Sequence, residues 1–489
     1  MSNKPSIPKG TRDFSPIEMV RRNYIFDTIK KSFKKYGFQQ IETPAMENLE
    51  TLVGTGGEES DKLIFKILNS GDYLNNFKLT SREKELIQKQ YESFTDFHGE
   101  LMYDKIFESN QHTSQISEKA LHYDLTVPFA RYVVQNQNDI TFPFRRFQIQ
   151  PVWRADKPQK GRYREFYQCD ADIIGSDSLL NEVDLIKMID DVFTELFQGK
   201  LNYTVSVNNR KILQGIIESV GEQDKFEQIV VVIDKFDKIG VDGVINELYD
   251  LGFDEESGKN LMDIIGLKTA SDSFKNIPKN ESPEFALLQL EFLSTIIGNF
   301  NGQKGIKELE FVFEKLKELK LRTANVTFDP TLARGLGYYT GTIIEVKVDN
   351  FPSITGGGRY DDLTGKFGLK NVSGVGISFG ADRIYDVLLD NNLYPKFKGD
   401  STQVLFTRQS EQDEQRFLPM LFQLRDKGIN AELYTEQAKW QKQMIFAEKK
   451  GIKFIVSANE KGETFVKDMD GGEKKPFLSV EELIAIIKK

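Results

Sequence analysis

The first strong periodicity in the chain predicts a helix near the N-terminus. Ser15-Pro16-Ile17-Glu18 has the pattern of a capping box with proline at the first helical position. Apolar side chains then recur three or four residues apart, as on one face of a helix, at Ile17, Val20, Tyr24, Ile25, Ile29 and Phe33. Gly37 is a typical helix stop. The segment FQQIETP that follows predicts a strand ending at Pro44.

Two extended runs around a polar loop predict a long antiparallel hairpin. The runs are RRFQIQPVWR, ending at Arg154, and YREFYQCDADII, ending at Ile174, with the loop DKPQKGR between them. Side chains alternate across a strand. One face of the second strand therefore carries Arg164, Phe166, Gln168, Asp170 and Asp172, and the other carries Glu165, Tyr167, Cys169, Ala171 and Ile173. A solvated edge is the ordinary explanation of a polar face, but the apolar opposite face favours a polar pocket.

The middle of the chain has mostly helical spacing. A helix is predicted over Leu179–Phe197, and the region from about Asn208 to about Lys320 reads as further helices with few strand signals. Within it, Ile229–Ile233 is the longest unbroken apolar run, and its length is that of a buried strand.

Strand patterns return in the last third. NVTFDPTLARGLGYYTGTIIEV and VSGVGISFG predict strands, followed by a helix from about Asp382. From Thr402 onward strands and helices alternate. This alternation predicts a small α/β domain with a partly parallel sheet.

Composition narrows the class of protein. The 489 residues suffice for two to four domains, and 39% hydrophobic with 28% charged residues is typical of a soluble globular chain. The apolar runs are too short to cross a membrane, and the N-terminus has no targeting pattern, so we expect a cytoplasmic protein. The net charge of −9 argues against a general DNA-binding protein. The single cysteine, Cys169, excludes an intramolecular disulfide, and with three histidines it does not make a structural zinc site.

Cationic side chains cluster around the predicted hairpin loop. Lys157, Lys160 and Arg162 lie in the loop, beside Arg154 and Arg164. Guanidinium groups bind phosphate oxygens through two parallel hydrogen bonds. The chain has no GxxxxGK[ST] phosphate loop, and GVGISFG has the wrong spacing for a dinucleotide fingerprint. A bound nucleotide would therefore be held by arginines.

These segments carry a resemblance to a known family. WRADKPQKGRYREFYQCD resembles motif 2 of class II aminoacyl-tRNA synthetases, GISFGADRIYDVLL resembles motif 3, and the helix and strand ending at Pro44 resemble motif 1. LARGLGYYTG, TGGGRYD and YDLTVPFARY resemble segments specific to histidyl-tRNA synthetases. The matches run in the expected order from Lys9 nearly to the C-terminus.

The resemblance implies an α+β fold with a class II antiparallel-sheet catalytic domain. The first catalytic part would cover residues 1–207 and the second 325–396, separated by a helical insertion at 208–324. Residues 401–489 would form an α/β anticodon-binding domain. In that domain a basic helix with one aromatic side chain suits a stacked anticodon base, although lysines on a helix are usually just solvated: Lys439, Trp440, Lys442, Lys449 and Lys450.

The family's amino-acid pocket maps onto named positions. The α-ammonium group of histidine would be bound by Asp124, Thr126 and Gln168, which supply acceptors. Asp124 also stands where it could cap a helix starting at Val127, and both roles are compatible. The two imidazole nitrogens would be bound by Asp172 and Tyr339. Tyr338 and Tyr360 would form the wall, and one of Tyr338 and Tyr339 could serve strand packing alone.

The family's ATP-binding positions are mostly arginines, because a carboxylate must attack a phosphate of like charge. Arg154 would bind the α-phosphate, and Arg334 would approach it from the other side. Arg162 and Arg383 would bind the β- and γ-phosphates. Asp156 would contact adenine or help to bind Mg²⁺, which enters with ATP.

The implied reaction is activation of histidine by ATP and its transfer to tRNA(His), by a homodimer without membrane or DNA partners. Two positions depart from the family: Gly337 replaces a frequent aspartate, and His122 replaces the usual arginine. Two rival functions stay open. One is a histidine-binding paralogue that acts as a sensor or regulatory subunit, and the other is an adenylating ligase that does not use tRNA.

Overall fold

The computed structural model describes residues 4–56, 58–73, 77–85, 109–266, 281–333, 337–395 and 402–488. The chain forms two compact units. One contains Met1–Arg12 and Ile25–Leu393, and the other contains Asp13–Tyr24 and Tyr394–Lys489. The four-part domain division stays a prediction. In the described ranges, no helix has the length and apolar character that crossing a membrane requires.

The described residues form sixteen strands in three sheets. In chain order they are β1 (Gln39–Gln40), β2 (Met46–Asn48), β3 (Phe65–Ile67), β4 (Lys119–Leu121), β5 (Phe144–Trp153), β6 (Glu165–Ile174), β7 (Thr204–Asn209), β8 (Asn325–Phe328), β9 (Thr342–Lys347), β10 (Thr355–Tyr360), β11 (Gly374–Gly380), β12 (Val404–Phe406), β13 (Ala431–Leu433), β14 (Phe454–Ala458), β15 (Thr464–Asp468) and β16 (Lys474–Phe477).

The helices of the described residues are α1 (Pro16–Lys35), α2 (Leu49–Leu52), α3 (Glu58–Asp61), α4 (Ser109–Ile116), α5 (Thr126–Gln135), α6 (Leu180–Phe197), α7 (Arg210–Ser219), α8 (Phe226–Ile233), α9 (Phe236–Asp250), α10 (Glu255–Ile265), α11 (Pro283–Ile296), α12 (Phe300–Leu319), α13 (Ala381–Asp390), α14 (Glu411–Asp426), α15 (Trp440–Lys450) and α16 (Val480–Ile487). The first helix begins where its capping pattern predicts, and the Glu18 carboxylate accepts the Ser15 N–H at 2.7 Å.

The largest sheet has the strand order β1-β5-β6-β11-β10-β9-β7-β8. Its central pairings are antiparallel, and only β1–β5 and β7–β8 are parallel. The predicted hairpin is confirmed, because β5 and β6 pair from Phe144↔Ile174 to Trp153↔Glu165. The strand predicted up to Pro44 is reduced to the two residues of β1.

The two faces of this sheet differ as the alternation predicted. Phe147, Cys169, Ala171 and Ile173 are fully buried on one face. Val375 and the other apolar side chains of β11 continue that core. The opposite face of β6 carries Gln168, Asp170 and Asp172, which are also buried. The polar face is therefore covered by other parts of the chain, and it is not a solvated edge.

The region between β7 and β8 is helical in its described parts, from α7 to α12. Ile229–Ile233 has the length of a buried strand but lies in α8, in agreement with the helices predicted for this region. A short apolar run of a buried helix cannot be told from a strand by periodicity. The segment between α12 and β8 is held by Asp190 on α6. The Asp190 carboxylate accepts the backbone N–H groups of Arg322, Thr323 and Ala324.

The second unit contains a sheet of order β13-β12-β14-β15-β16. The pairings β12–β13 and β12–β14 are parallel and the other two are antiparallel, so the predicted partly parallel α/β pattern is confirmed. Phe406, Phe417 and Val456 are fully buried in its core. The capping box of α14 is complete, with Ser410 and Asp413 bonding each other's backbone.

Candidate active site

The candidate site lies on the polar face of the large sheet, where glycines leave room for larger side chains. A Cβ atom at Gly376 on β11 would lie 2.0 Å from Oδ1 of Asp172. A Cβ atom at Gly358 on β10 would lie 2.9 Å from the ring of Tyr339. Both distances are shorter than real contacts allow, so Asp172 and Tyr339 occupy their positions only because these residues are glycines.

Asp172 is held from two sides. The hydroxyl of Tyr360 donates to its Oδ1 at 2.7 Å, and Nη2 of Arg146 lies 2.9 Å from its Oδ2. Arg146 is itself fully buried and donates to the carbonyl of Leu125 at 3.1 Å. Burial raises the pKa of Asp172, and the charge of Arg146 opposes that effect. The arrangement fixes the orientation of this carboxylate.

Asp124 lies just before α5, where it bonds both the start of the helix and a pocket tyrosine. Its Oδ1 accepts the backbone N–H of Val127 at 3.3 Å, and its Oδ2 accepts the hydroxyl of Tyr338 at 3.2 Å. The side chain of Thr126 hydrogen-bonds the same tyrosine. Burial raises the pKa of Asp124 to about 6, although the charge of Arg154 lowers it. Asp124 therefore closes the first turn of α5 and also faces the pocket.

Three tyrosines from two segments meet at these carboxylates. The ring centroids of Tyr338 and Tyr339 are 4.9 Å apart, and those of Tyr338 and Tyr360 are 6.1 Å apart. Burial raises the pKa of Tyr339, and the charges of Asp172, Asp170 and Asp124 raise it further. One phenol therefore lies within electrostatic reach of three carboxylates, which places them around one space.

Gln168 and Asp170 continue the polar face along β6. Nε2 of Gln168 donates to Oγ of Ser378 at 2.7 Å. Among the described residues, Oε1 of Gln168, Oδ1 of Asp170 and Oδ2 of Asp172 are buried and have no hydrogen-bond partner, although Oδ2 of Asp172 is close to the charge of Arg146. Buried polar atoms of a native protein are nearly always bonded, so these acceptors point to a bound molecule that supplies donors.

Arg154 joins this pocket at the end of β5. Its Nε donates to the carbonyl of Tyr123 at 3.0 Å, and its guanidinium lies 5.2 Å from the ring centroid of Phe166. Its charge also lowers the pKa of Asp124. The structure thus brings Arg154 together with Asp124, and through Tyr339 with Asp172. Arg334, the other predicted catalytic arginine, lies outside the described residues.

The two arginines predicted to bind the β- and γ-phosphates lie at the hairpin loop. Arg162 is 44% exposed, and its Nε lies 3.5 Å from Oδ2 of Asp156. Arg383 at the start of α13 donates to the carbonyls of Gly161 at 3.0 Å and Ser353 at 2.6 Å. The Arg383 side chain is therefore held next to the hairpin loop by the backbone carbonyl of Gly161. This position is compatible with a ligand that contacts both α13 and the loop. The phosphate contacts of the two arginines stay predictions.

Some polar side chains of β5 serve the fold rather than the pocket. Nε2 of Gln148 donates to Oγ1 of Thr43 at 2.7 Å, and Nε2 of Gln150 donates to the carbonyl of Thr43 at 2.9 Å. They tie the segment before Pro44 to the sheet. Arg146 shares this face of β5 and lies opposite Asp172, but no local pattern pairs the two residues, so Arg146 was not predicted.

Arg359 and Ser378 were also missed. Arg359 of the TGGGRYD segment is buried, and its Nε and Nη2 donate to the two carboxylate oxygens of Glu182 at 2.6 and 2.7 Å. It lies on the core face of β10, where it ties α6 to the sheet. Ser378 could have been found from its position opposite Asp170 once the β6–β11 register was known.

Comparisons with known proteins agree with this geometry. A sequence model described as histidyl-tRNA synthetase matches residues 115–384. A histidine–tRNA ligase of Bacteroides fragilis is 48% identical, and the alignment covers 100% of both chains. The chain belongs to the histidyl-tRNA synthetase family. It is accordingly an enzyme of the histidine–tRNA ligase type, with the family's α+β class II fold.

Solved structures support the fold assignment of this synthetase. A histidyl-tRNA synthetase of Nostoc has a TM-score of 0.75 and 28% identity, covering 100% of this chain and 99% of its own. A Bacillus halodurans protein described as an ATP phosphoribosyltransferase regulatory subunit/histidyl-tRNA synthetase has a TM-score of 0.68 over 93% of this chain and 99% of its own. At 18% identity it shows the fold alone. The full-length relatives, and not the fold, therefore favour the ligase over a regulatory subunit.

The two departures from the family pattern have defined positions in this synthetase. His122 is fully buried, and its Nε2 hydrogen-bonds the carbonyl of Pro151 at 2.8 Å. Burial lowers the pKa of His122, which favours a neutral ring where the family usually has a cation. The backbone N–H of Gly337 donates to the carbonyl of Gly56 at 3.2 Å. Neither departure removes a group from the pocket described above.

Proposed function

We propose that this ligase activates L-histidine with ATP in the pocket on the polar sheet face, and then transfers the histidyl group to the 3′ end of tRNA(His). One observation carries the assignment of the site. Asp124, Asp172 and Arg154, from separate segments, converge with the three tyrosines around one space.

The α-ammonium group of histidine binds to Asp124, Thr126 and Gln168 in this proposal. The pKa of about 6 leaves Asp124 ionised at neutral pH, which is the state that accepts hydrogen bonds from an ammonium group. The unpartnered Oε1 of Gln168 is a further acceptor. The free acceptors of the pocket therefore suit the donors that the substrate brings.

The imidazole ring binds between Asp172 and the phenol of Tyr339. Asp172 has its orientation fixed by Tyr360 and Arg146, so it can accept an N–H without reorganising. Tyr338 and Tyr360 enclose the ring. An apolar ring of similar size would leave buried polar groups unpaired, and a site of this kind rejects such a ring strongly.

The ATP phosphates lie against guanidinium groups. Arg154 holds the α-phosphate and Arg334 approaches it from the opposite side, while Arg162 and Arg383 hold the β- and γ-phosphates. Mg²⁺ would enter with ATP, since this ion is commonly bound by one or two carboxylates together with substrate phosphates. Asp156 is the carboxylate in position, at 24% exposure. When bound, Mg²⁺ would neutralise phosphate charge. Asp156 alternatively contacts adenine.

Transfer to tRNA uses the second unit for recognition of the anticodon. On α15, Trp440 is partly buried in a small apolar cluster with Phe446. All four lysines are exposed, but Lys442 and Lys450 are bonded to Glu436 and Glu432 at 3.2 and 3.0 Å, whereas among the described residues Lys439 and Lys449 have no such ion pair. Exposed cations beside an aromatic side chain suit single-stranded RNA. Lys439 and Lys449 are therefore the better candidates for phosphate contacts.

The enzyme acts as a homodimer in the cytoplasm, where ATP and tRNA are available. The exposed edge strand β1, whose Gln39 and Gln40 both face solvent, offers unpaired backbone groups for a second copy of the chain.

Two assays test the proposal. Histidine-dependent ATP–pyrophosphate exchange, compared across the amino acids, separates the ligase from a regulatory paralogue that only binds histidine. Charging of tRNA(His) then separates it from an adenylating ligase without tRNA. Exchange with another amino acid, or none at all, would overturn the proposed site. The matched variant is Arg154→Lys, which keeps the charge but not the two-point contact.

A further inference from the structure

A third carboxylate lies in the pocket besides the two that the family resemblance assigned. Asp170 stands between Gln168 and Asp172 on the same face of β6, and it is 2% exposed. Ser378 hydrogen-bonds its carboxylate, but the buried Oδ1 has no partner among the described residues. An unsatisfied buried carboxylate oxygen is costly, so its donor is expected to come from a ligand.

The charges around the pocket are not balanced. Asp124, Asp170 and Asp172 all act on the phenol of Tyr339, and the cations that act on them are Arg146 and Arg154. Among the residues that the structure describes, three carboxylates face two guanidinium groups, so one proton on these acids is needed to balance the charge. A zwitterionic amino acid with a neutral side chain does not change that sum, whereas a protonated ring cancels it.

We propose that Asp170 is a specificity-determining residue that selects a basic ring, its free oxygen accepting a charge-assisted hydrogen bond from the protonated imidazole. The inference rests on the proposed activation of histidine. Asp172 is less suited to this role, because it accepts the other ring N–H in the proposed binding mode and its charge is already paired with Arg146 at 2.9 Å. Hydrogen bonds between ionised groups are stronger than neutral ones. This hydrogen bond would therefore make the affinity for a ring depend on its basicity as well as on its shape.

The proton balance follows from the groups that face Asp170. They are Arg146 of β5, Asp172 of β6, Ser378 of β11, and, from the loops, Asp124 and Tyr339. Burial, helped by the charge of Asp172, raises the pKa of Asp170 to about 7. Below about pH 7 the empty pocket therefore holds a proton on Asp170. Imidazole has an ordinary pKa of about 6.5, close to that value, so when the neutral ring enters, the proton moves to the ring because the charge of Arg146 stabilises the Asp170 carboxylate that remains beside the imidazolium.

The pH dependence has a definite sign. The bound state needs one proton on the pair formed by Asp170 and the ring. Above about pH 7 both are deprotonated when free, so binding must take up a proton and kcat/KM for histidine falls with rising pH. An asparagine at this position needs no proton, and this decline would disappear.

The experiment compares histidine with 1,2,4-triazole-3-alanine, a ring of nearly the same shape that is far less basic. In ATP–pyrophosphate exchange the wild-type enzyme should prefer histidine. Asp170→Asn should reduce the ratio of the two kcat/KM values by roughly tenfold or more, the size of a charged hydrogen bond, and remove the decline above neutral pH. An unchanged ratio and an unchanged pH profile would overturn the inference.

Two further variants keep the test decisive. Asp190→Asn alters a buried carboxylate outside the pocket, so it should lower thermal stability without changing the analogue ratio. If Asp170→Asn does not fold, Ser378→Ala removes a hydrogen bond that lowers the pKa of Asp170, and the decline should move to higher pH. If kcat/KM of Ser378→Ala falls at the same pH as that of the wild-type enzyme, Asp170 is not the group that titrates. Loss of histidine-dependent exchange in the wild-type enzyme would instead refute the proposed function.

Discussion

The amino-acid pocket and the hairpin loop beside it are built in opposite ways. In the pocket, Asp172 and Arg146 are buried, and each is held by further hydrogen bonds. In the loop, Arg162 is 44% exposed and its nearest carboxylate, that of Asp156, is 3.5 Å away. The pocket is organised before histidine arrives. The loop backbone is also bonded, between Gln159 and Arg162 and through Arg383 at Gly161, but the Arg162 side chain is partly exposed and only loosely paired. We therefore expect substitutions in the two regions to differ in kind.

The largest effect should come from Arg154, which stands where the two regions meet. Arg154→Ala should reduce kcat/KM in ATP–pyrophosphate exchange by a factor equivalent to about 3–4 kcal/mol, as for a lost oxyanion donor. Arg334→Ala should cost as much if it faces the same phosphate. Near-normal exchange in either variant would show that the phosphate is bound elsewhere.

A change in the pocket should affect histidine and not ATP. Asp172→Asn removes the charge that pairs with Arg146, and truncating one partner of a buried ion pair costs about 3–5 kcal/mol. We expect a large rise in KM for histidine, with KM for ATP changed little, together with a lower melting temperature. Tyr360→Phe is the milder control, since it removes one hydrogen bond and keeps the ring. Equal changes in both KM values would contradict a preformed pocket.

The pocket should also respond to acid. The folded-state pKa of Asp124 is raised, from 3.8 to about 6, so burial penalises its ionised form and the group is protonated below about pH 6. The protonated carboxyl is a poorer acceptor for an ammonium group, so KM for histidine should rise as pH falls through 6. Asp124→Asn should bind histidine weakly at every pH and lose that rise. A wild-type KM independent of pH between 5 and 7 would speak against this role.

The smallest effect is expected in the loop. Arg162→Ala removes an exposed guanidinium, and exposed ion pairs contribute about 0–1 kcal/mol. KM for ATP should rise by a few-fold while KM for histidine stays constant, as measured by exchange at varied ATP. Arg383→Ala serves as the comparison, because Arg383 also holds the carbonyls of Gly161 and Ser353 and its loss should disturb the loop itself.

The parts that the sequence predicted well depend on local periodicity. The hairpin and its two faces followed from alternation, and α6 and the C-terminal α/β pattern followed from spacing. The apolar run Ile229–Ile233 did not by itself distinguish a strand from a helix, because a short apolar run has no period of its own; it lies in α8. The extent of β1 was overestimated, since pairing with β5 limits it to two residues.

The site was predictable only where a family motif named the residue. Arg146 stood on the correct face, but its pairing with Asp172 depends on the register between strands, which no local pattern specifies. Asp170 was placed on the polar face, yet its unpartnered oxygen and its bond to Ser378 appear only when β6 and β11 are side by side. Long-range pairing is the information that one sequence does not display.

The parallel pairing of β7 with β8 limits how the enzyme could be shortened. Thr204 at the start of β7 pairs with Asn325 at the start of β8, so the chain must travel back along the full strand between them. A tight turn cannot connect two parallel strands, and a crossover of about a dozen residues or more is required. An engineered minimal enzyme must therefore keep a return helix such as α12 and its Asp190 anchor, and chimaeras between relatives should exchange only the helices that precede it.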